Sequence, residues 1–272
     1  MKTQVVIAKD QSKIHLINWE SQSTKKGTVL IIHGLGEHAG RYTHVAEYLN
    51  AKGYDVFAYD QRGHGKSEGQ RAYAKSHEAF HNDLEHVINH IENELEDRFF
   101  VMGHSFGGNV LCSFMIERGH PRIKGLIFSS SWFKLAFDPP KAKVMLANLI
   151  KGIFPRLSMS NELNLDDLSY DQHTIKSYEE DDLVHNRITA ALFVNAYKAG
   201  LQCLEQAQTI KLPTLIYHGE DDNIISPNGS KELSDKIKGS TLKIWEKTKH
   251  EPHNDQRKDE VIEYLGSWLD SQ

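Results

Sequence analysis

The sequence predicts an α/β fold with a mostly parallel, doubly wound sheet, an antiparallel N-terminal edge and a helical cap. Continuous apolar runs alternate with helical apolar patterns along most of the 272 residues, which indicates parallel strands joined by helices. The first two strand candidates are close in sequence, as in a hairpin. The region 135–205 has helical patterns but no convincing strand, and it is too long for a structureless loop. We therefore predict a core in two parts, 1–134 and 206–272, separated by a cap at 135–205.

The predicted elements follow from the residue patterns. The alternating segments 3–8 and 13–19 indicate the opening hairpin, and the continuous apolar run 28–32 is typical of a strand buried on both faces. One helical face of 77–95 is apolar, and the chain closes with an amphipathic helix whose apolar residues lie within 261–269. The other strands are predicted at 54–59, 99–102, 123–130, 214–218 and 241–245, and the other helices at 41–52, after Ser105 and at 142–154.

The composition limits the partners and the compartment. Hydrophobic residues make up 39% and charged residues 25% of the chain, as in soluble globular domains. The formal net charge of −5 provides no basic field, so we expect no nucleic-acid partner. No apolar run approaches the ~20 residues of a membrane span, and charge interrupts the N-terminal apolar stretch too soon for a secretory signal. We therefore expect a cytoplasmic protein.

Cysteine and histidine usage gives no sign of a disulfide or a metal site. Cys112 and Cys203 are the two cysteines, and we expect Cys112 to be a buried thiol in a reducing compartment. None of the 16 histidines shows a tight ligand spacing with cysteine or carboxylate partners. We therefore expect no bound metal.

The most informative stretch is Gly103-His104-Ser105-Phe106-Gly107, which lies between a strand candidate and a helical pattern. Gly-x-Ser-x-Gly in this context is the pattern of a nucleophile elbow, which thrusts a serine hydroxyl into the open. The glycines fit because a side chain would clash with the neighbouring strand or helix. The N–H of Phe106 would stabilise a developing negative charge at the helix N-terminus. Ser105 is thus a candidate nucleophile, and an ordinary strand–turn–helix corner is the alternative.

An activated serine needs a base, and the base needs an orienting carboxylate. Asp221 and Asp222 follow the strand 214–218, and His250 and His253 follow the last strand. Both loops would leave the carboxyl edge of the sheet, where the sites of open α/β folds lie. From the residues alone, the acid is Asp222 or Asp221 and the base is His250 or His253. We expect the nearby Glu251 to be a surface charge.

A second oxyanion donor should come from the loop after the strand 28–32. His33-Gly34-Leu35-Gly36 stands there, and its glycines let the backbone approach a substrate. The N–H of Leu35 can therefore point at a carbonyl oxygen, together with that of Phe106. A plain tight turn is the alternative.

Five segments of the chain together resemble one known family. In one-letter code they read HGLGEHAGRY at 33–42, DQRGHGKS at 60–67, GHSFGG at 103–108, LSYD at 168–171 and DLVH at 182–185. They look like the HGxGEHxxRY, DxRGHGxS, GHSxGG, LSxD and DPLVH segments of the monoacylglycerol lipase and lysophospholipase family of serine α/β-hydrolases, although Asp182 stands where the family usually has proline. The resemblance implies the α/β-hydrolase fold, with an inserted helical cap.

The resemblance also selects among the site residues. The family's acid loop reads Gly-x-x-Asp, which implies Asp222, and its histidine loop reads His-Glu-x-x-Asn-Glu, which implies His250. Similarity to the animal monoacylglycerol lipases implies that Glu37, Arg41 and His253 help to receive a glycerol head group. The alternative is an internal ion pair of Glu37 with Arg41 that braces the oxyanion loop.

We therefore expect a serine hydrolase that cleaves monoacylglycerols to fatty acid and glycerol without a cofactor. Ser105 would attack the ester carbonyl, His250 would transfer the proton, and Asp222 would hold the imidazole. The N–H groups of Leu35 and Phe106 would receive the oxyanion. A lysophospholipase or a general medium- or long-chain carboxylesterase is the alternative enzyme. A non-catalytic binding protein of this fold is the alternative outside enzymes.

The cap is expected to supply an apolar tunnel for the acyl chain of a lipid ester. Residues 142–154 place apolar side chains along one helical face, with lysines nearby. We expect this face to contact lipid aggregates or the membrane periphery; the alternative is that it packs on the domain. The oligomeric state stays open. The apolar residues are Met145, Leu146, Leu149, Ile150, Ile153 and Phe154.

Overall fold

An eight-stranded mixed sheet lies at the centre of the computed structural model, which describes residues 1–272. Its strands are β1 (Lys2–Ile7), β2 (Lys13–Trp19), β3 (Gly27–Ile32), β4 (Tyr54–Tyr59), β5 (Phe99–His104), β6 (Ile123–Ser129), β9 (Thr214–Gly219) and β10 (Thr241–Trp245), and the short pair β7 (Ser158–Ser160) and β8 (Arg187–Thr189) lies apart. The strand order is β1-β2-β4-β3-β5-β6-β9-β10. Within this sheet, only the β1–β2 and β2–β4 pairs are antiparallel. The predicted fold class, including the antiparallel N-terminal edge, is confirmed.

Helices cover both faces of the sheet. They are α1 (Thr43–Ala51), α2 (Glu78–Ile91), α3 (Phe106–Glu117), α4 (Lys141–Ile153), α5 (Gln172–Glu179), α6 (Ala190–Gln206), α7 (Pro227–Lys236) and α8 (Lys258–Asp270). One core cluster joins α2, α3, α6 and α7 to the sheet, and a second joins α1 and α8 to the opposite face. Strands β3 to β6 and β9 are buried on both faces, which explains their nearly continuous apolar sequences.

The sequence analysis named no helix at α7, although its start signals are clear. The Ser226 side chain caps the first turn, and Pro227 occupies the first helical position. No helix of the chain is both long enough and apolar enough to cross a membrane.

The parallel strands bring the predicted site loops to one edge. In the β3–β5 pair Ile32 lies opposite Gly103, and in the β9–β10 pair Gly219 lies opposite Trp245. The loops that follow these four strands therefore leave the sheet at its carboxyl edge, as sites in open α/β folds do. This arrangement places the elbow between the oxyanion loop and the two loops that carry the acid and the histidine.

The inserted region between β6 and β9 contains strands that the sequence analysis did not predict. β7 and β8 form an antiparallel pair, and three-residue strands are too short to show alternation. The helix α6 begins in this region, but its later residues Cys203 and Leu204 belong to the large core cluster. The helix α6 therefore belongs both to the inserted region and to the core of the domain. The cap limits 135–205 stay a prediction. Both cysteines are buried free thiols.

Candidate active site

Ser105 occupies a strained turn between β5 and α3. Its φ of 50° lies in the left-handed region, which non-glycine residues rarely adopt. A Cβ at Gly103 would lie 2.6 Å from the carbonyl oxygen of Gly107, and one at Gly107 would lie 2.1 Å from that of Ile32. The two glycines are therefore required by close backbone contacts, as the sequence analysis predicted.

Hydrogen bonds connect Ser105, His250 and Asp222 in a chain. Ser105 Oγ lies 3.0 Å from His250 Nε2, and His250 Nδ1 lies 2.7 Å from Asp222 Oδ2. Because an ionised carboxylate only accepts, His250 donates through Nδ1–H and its Nε2 accepts from the serine hydroxyl. Asp221 instead accepts a hydrogen bond from the hydroxyl of Tyr170 at 3.0 Å. The structure thus joins Ser105 to Asp222 and His250 rather than to the alternatives.

Asp222 is held by four donors. Its Oδ1 accepts from the backbone N–H groups of Ile224 and Ile225, each at 2.9 Å, and its Oδ2 accepts from His218 Nε2 at 2.9 Å as well as from His250. Burial opposes the charge of Asp222, but His250 and His218 lower its pKa well below the ordinary range. The sequence analysis missed His218. Its signal was a histidine inside the otherwise apolar, buried β9.

The pKa of His250 is raised above its ordinary value by neighbouring carboxylates. Burial alone would lower the pKa, because it disfavours the imidazolium. The charge and hydrogen bond of Asp222 outweigh burial, and Glu251 and Glu37 add to the effect. A proton accepted from Ser105 would therefore be stabilised on this ring.

Two backbone N–H groups lie near Ser105 without protein acceptors. The N–H of Phe106 is at the first position of α3, where a helix has no internal partner. The N–H of Leu35 has no acceptor within the chain. Its loop approaches closely, since a Cβ at Gly34 would lie 3.2 Å from Ser105 Cβ. These are the two N–H groups that the sequence analysis named as oxyanion donors.

A buried ion cluster of Glu37, Arg41 and Glu251, the clamp, ties the oxyanion loop to the histidine loop. Glu37 accepts from the N–H of Gly34 at 2.6 Å, from the hydroxyl of Tyr42 at 2.8 Å and from Arg41 at 2.7 Å. Arg41 also donates to both oxygens of Glu251, at 2.7 and 2.6 Å. The predicted alternative, an ion pair bracing the oxyanion loop, is what these contacts form.

Glu251 corrects an expectation from the sequence. We predicted a surface charge, but Glu251 is 2% exposed. Burial opposes its ionisation, and Arg41 more than offsets this, so that the pKa of Glu251 is lowered. The partner is 210 residues away along the chain, and a single sequence gives no signal for such a pair.

Neither Arg41 nor His253 lines the cavity that opens onto Ser105. His253 is 1% exposed, stacks on Tyr42 with ring centroids 4.9 Å apart, and neither of its ring nitrogens has a partner. Burial lowers its pKa to about 3. Of the three predicted head-group residues, only Glu37 lines the cavity. Any influence of Arg41 and His253 on a head group would therefore be indirect.

A cavity of about 390 Å³ opens onto Ser105 and His250. Half of its 22 lining residues are hydrophobic, and its volume falls in the range of about 300–1,000 Å³ typical of small-molecule sites. The sequence analysis missed most of this lining, including Trp132, Tyr178 and Phe193, because these residues come from the inserted region and its junctions. No group of three or more His, Cys, Asp or Glu side chains is placed to hold a metal ion.

Comparison with known proteins identifies the family. The Hydrolase_4 family model, described as "Serine aminopeptidase, S33", matches residues 23–257. The crystal structure of a monoacylglycerol lipase from Paleococcus ferrophilus is similar to this chain at 32% identity, with a TM-score of 0.87, over 95% of this chain and 98% of that one. The chain belongs to the monoacylglycerol lipase family of α/β-hydrolases. The family that the sequence motifs suggested is thereby confirmed.

Two further relatives differ in the share of their own length that this chain covers. An uncharacterized abhydrolase domain-containing protein from Dictyostelium discoideum is 32% identical over 97% of this chain, which spans 28% of that protein. A monoacylglycerol lipase from Mycolicibacterium smegmatis is 28% identical, over 92% of this chain and 90% of its own length. The family, together with the lipases from Paleococcus ferrophilus and Mycolicibacterium smegmatis, indicates a carboxylic ester hydrolase, as predicted.

Proposed function

We propose that the protein hydrolyses monoacylglycerols to a fatty acid and glycerol, with Ser105, His250 and Asp222 as its catalytic triad. One observation carries the proposal: the hydrogen-bonded chain from Ser105 to Asp222 opens onto a cavity whose lining is half hydrophobic. The names of the relatives from Paleococcus ferrophilus and Mycolicibacterium smegmatis support this substrate class.

In the proposed mechanism Ser105 attacks the ester carbonyl while His250 takes its proton. The negative charge that develops on the carbonyl oxygen is received by the N–H groups of Leu35 and Phe106, each worth about 3–4 kcal/mol of barrier. His250 then protonates the leaving glycerol oxygen, and Asp222 stabilises the imidazolium. Water activated by His250 cleaves the acyl-enzyme and regenerates the serine.

The cavity lining contains both apolar and polar side chains, as the two ends of the substrate require. Leu135, Ile188, Phe193, Ile224 and Ile225 supply apolar surface for the acyl chain. The lining also contains polar side chains from the loop 161–167 and from Glu37. A small uncharged alcohol can form hydrogen bonds there without requiring a counter-ion.

We also propose that the cap contacts lipid surfaces. The outer face of α4 exposes Met145, Leu146, Leu149 and Ile153, and Phe154 follows it. A contiguous apolar patch on a surface marks an interaction site, and a helix face of this kind suits the boundary of a lipid layer. Delivery of an insoluble ester would then take place beside the cavity.

The proposal is tested by comparing hydrolysis of a monoacylglycerol, its diacyl and triacyl counterparts and a lysophospholipid with the same acyl chain. We expect the monoacylglycerol to be preferred, and activity to rise from butyryl to dodecanoyl esters. Ser105→Ala should abolish activity and labelling by a fluorophosphonate, whereas Ser271→Ala, at the exposed C-terminus, should retain both. Activity that survives Ser105→Ala would refute the assignment of Ser105 as the nucleophile. A preference for the lysophospholipid or for butyryl esters would refute the assignment of monoacylglycerols as the substrate.

A further inference from the structure

Every formally charged side chain that lines the catalytic cavity is a carboxylate. The lining contains Glu37, Glu162, Asp167 and Glu251 but no lysine and no arginine. Its other titratable groups near Ser105 are His104 and His250. Burial keeps the pKa of His104 well below its ordinary value, so this ring is neutral. The formal charges of the lining residues are therefore all negative.

The inner pair of these carboxylates is only partly compensated. Glu37 and Glu251 share the single cation Arg41, which lies behind them and outside the lining. Arg41 more than offsets the burial that opposes ionisation, and the pKa of each glutamate is lowered. The three charges of the clamp thus sum to one negative charge.

Neither carboxylate of the outer pair, Asp167 and Glu162, forms a salt bridge. Asp167 accepts hydrogen bonds from the amides of Asn164 and Asn223, each at 3.2 Å, and forms no salt bridge. Glu162 is exposed on the loop 161–167 and has no ionic partner. Lys249, next to His250 in sequence, donates to the backbone oxygen of Asp166 on the same loop and lies over the ring of Tyr170, and it does not line the cavity.

This charge acts differently on the substrate and the product of the proposed reaction. A monoacylglycerol and glycerol are neutral. When water cleaves the acyl-enzyme it forms a carboxylic acid, which loses its proton and leaves as an anion. In a cavity with low-dielectric walls, fixed carboxylates repel an anion and leave a neutral molecule of the same shape unaffected. The phosphate of a lysophospholipid would meet the same repulsion.

We infer that the carboxylates of this cavity make it an anion-excluding site, in which Asp167 and Glu162 determine specificity for uncharged esters and promote release of the fatty-acid anion. The inference rests on the proposed function and deepens it. It assigns the loop 161–167 a role in charge selection, whereas the apolar lining residues select for the acyl chain.

The test compares the wild type with Asp167→Asn, Glu162→Gln and the double variant. The substrates are monododecanoylglycerol and dodecanoyl glycerol phosphate, and the inhibitors are dodecanoate and the neutral 1-dodecanol. We expect the variants to raise the ratio of kcat/KM for the anionic over the neutral ester, and to lower the dodecanoate inhibition constant. Removal of the half-buried Asp167 charge should change these values by about threefold at low salt, removal of the exposed Glu162 charge should change them less, and about 0.5 M NaCl should reduce both effects.

Matched controls separate charge from structure. Glu94→Gln and Asp97→Asn remove the same charges from exposed sites remote from the cavity, and they should change neither ratio. Glu162→Gln is the conservative variant, because the Glu162 side chain forms no hydrogen bond that folding would lose. The inference is overturned if neutral and anionic probes change equally in the cavity variants, or if the remote controls change the ratio as much.

Binding to a catalytically silent protein distinguishes this inference from the proposed function. Calorimetry of dodecanoate and 1-dodecanol with Ser105→Ala, alone and combined with Asp167→Asn, measures anion exclusion without turnover. Tighter dodecanoate binding in the combined variant, with unchanged dodecanol binding, supports the charge effect even if monoacylglycerols are not hydrolysed. Equal changes for the two ligands overturn it even if the triad is correct.

Discussion

At the scale of single residues, carboxylates set the protonation state of the proposed base. His250 is buried, yet Asp222, Glu251 and Glu37 raise its pKa above its ordinary value of 6.5. Glu251 and Glu37 belong to the clamp, which also holds the Gly34 N–H through Glu37. The same ionised groups thus influence both the basicity of the histidine and the position of the oxyanion loop.

A pH profile of the wild type and Glu251→Gln tests this link. Catalysis requires neutral His250, so kcat/KM should rise with pH through the His250 pKa. Because Glu251 stabilises the imidazolium, Glu251→Gln should lower that pKa and move the acid limb to lower pH. Loss of one clamp carboxylate should also reduce kcat by about 10- to 100-fold, since small displacements of the reacting groups are costly.

The control for this prediction is Glu246→Gln. Glu246 is also close to His250 in sequence but is exposed, and solvent screens exposed charges. Its substitution should leave the acid limb and kcat near their wild-type values. An acid limb in Glu251→Gln that stays in place, or moves to higher pH, would contradict the coupling.

At the scale of elements, α4 has two different faces. Its inner side packs on α6, where Lys151 donates to the amide oxygen of Asn195 at 2.5 Å. Its outer side exposes 72% of Met145 and 59% of Leu149. The sequence analysis left open whether the apolar face packs on the domain. In the structure much of it faces outward, which burial within the chain does not explain.

Substitution of apolar residues on the outer face of α4 should weaken binding to lipid and leave hydrolysis of a soluble ester unchanged. Leu146→Ser with Leu149→Ser should weaken binding to phosphatidylcholine vesicles tenfold or more, because each leucine side chain buried in lipid contributes about 1.5–3 kcal/mol. Hydrolysis of a soluble butyryl ester should be unchanged, since neither residue lines the cavity. Flotation with vesicles and a soluble-ester assay make the comparison.

Val5→Ser is the matched control, because Val5 is 53% exposed on β1, remote from the cap. It should leave vesicle binding unchanged. Equal loss of vesicle binding in the control, or loss of soluble-ester hydrolysis in the α4 variant, would argue against the outer face as the lipid contact.

At the scale of the whole molecule, the sheet and its two helix layers hold the site together. The proposed triad residues follow β5, β9 and β10, and the proposed oxyanion loop follows β3, so that four strands must keep their register. The two core clusters on opposite faces of the sheet supply the packing that maintains it. Stability should therefore depend on the core far more than on the outer face of the cap.

Urea unfolding of two leucine variants tests this difference. Leu126→Ala removes a fully buried side chain from β6 and should lower the free energy of unfolding by about 2–5 kcal/mol. Leu146→Ala removes a side chain that is 54% exposed and should change it by less than about 0.5 kcal/mol. Similar losses in both variants would mean that the outer face of α4 contributes to the packed structure.

Much of the fold could be predicted because its signals are local. The continuous apolar run of β3 and the glycines around Ser105 express burial and steric contact within a few residues of themselves. The order of nucleophile, acid loop and histidine loop is also a property of the sequence. The three-residue strands β7 and β8 were missed because they are too short to carry a period.

The residues alone determined that a strained serine, an acidic loop and a histidine loop would meet at one edge of a parallel sheet. Only the tertiary structure decided which partners touch: Asp222 rather than Asp221 bonds to His250, His218 supports Asp222, and Arg41 pairs with Glu251 from 210 residues away. It also decided that the lining of the cavity carries only acidic charge. The reason is physical. Periodicity and local sterics depend on neighbours in the chain, whereas hydrogen bonds, burial and electrostatic fields depend on distances that exist only after the chain has folded.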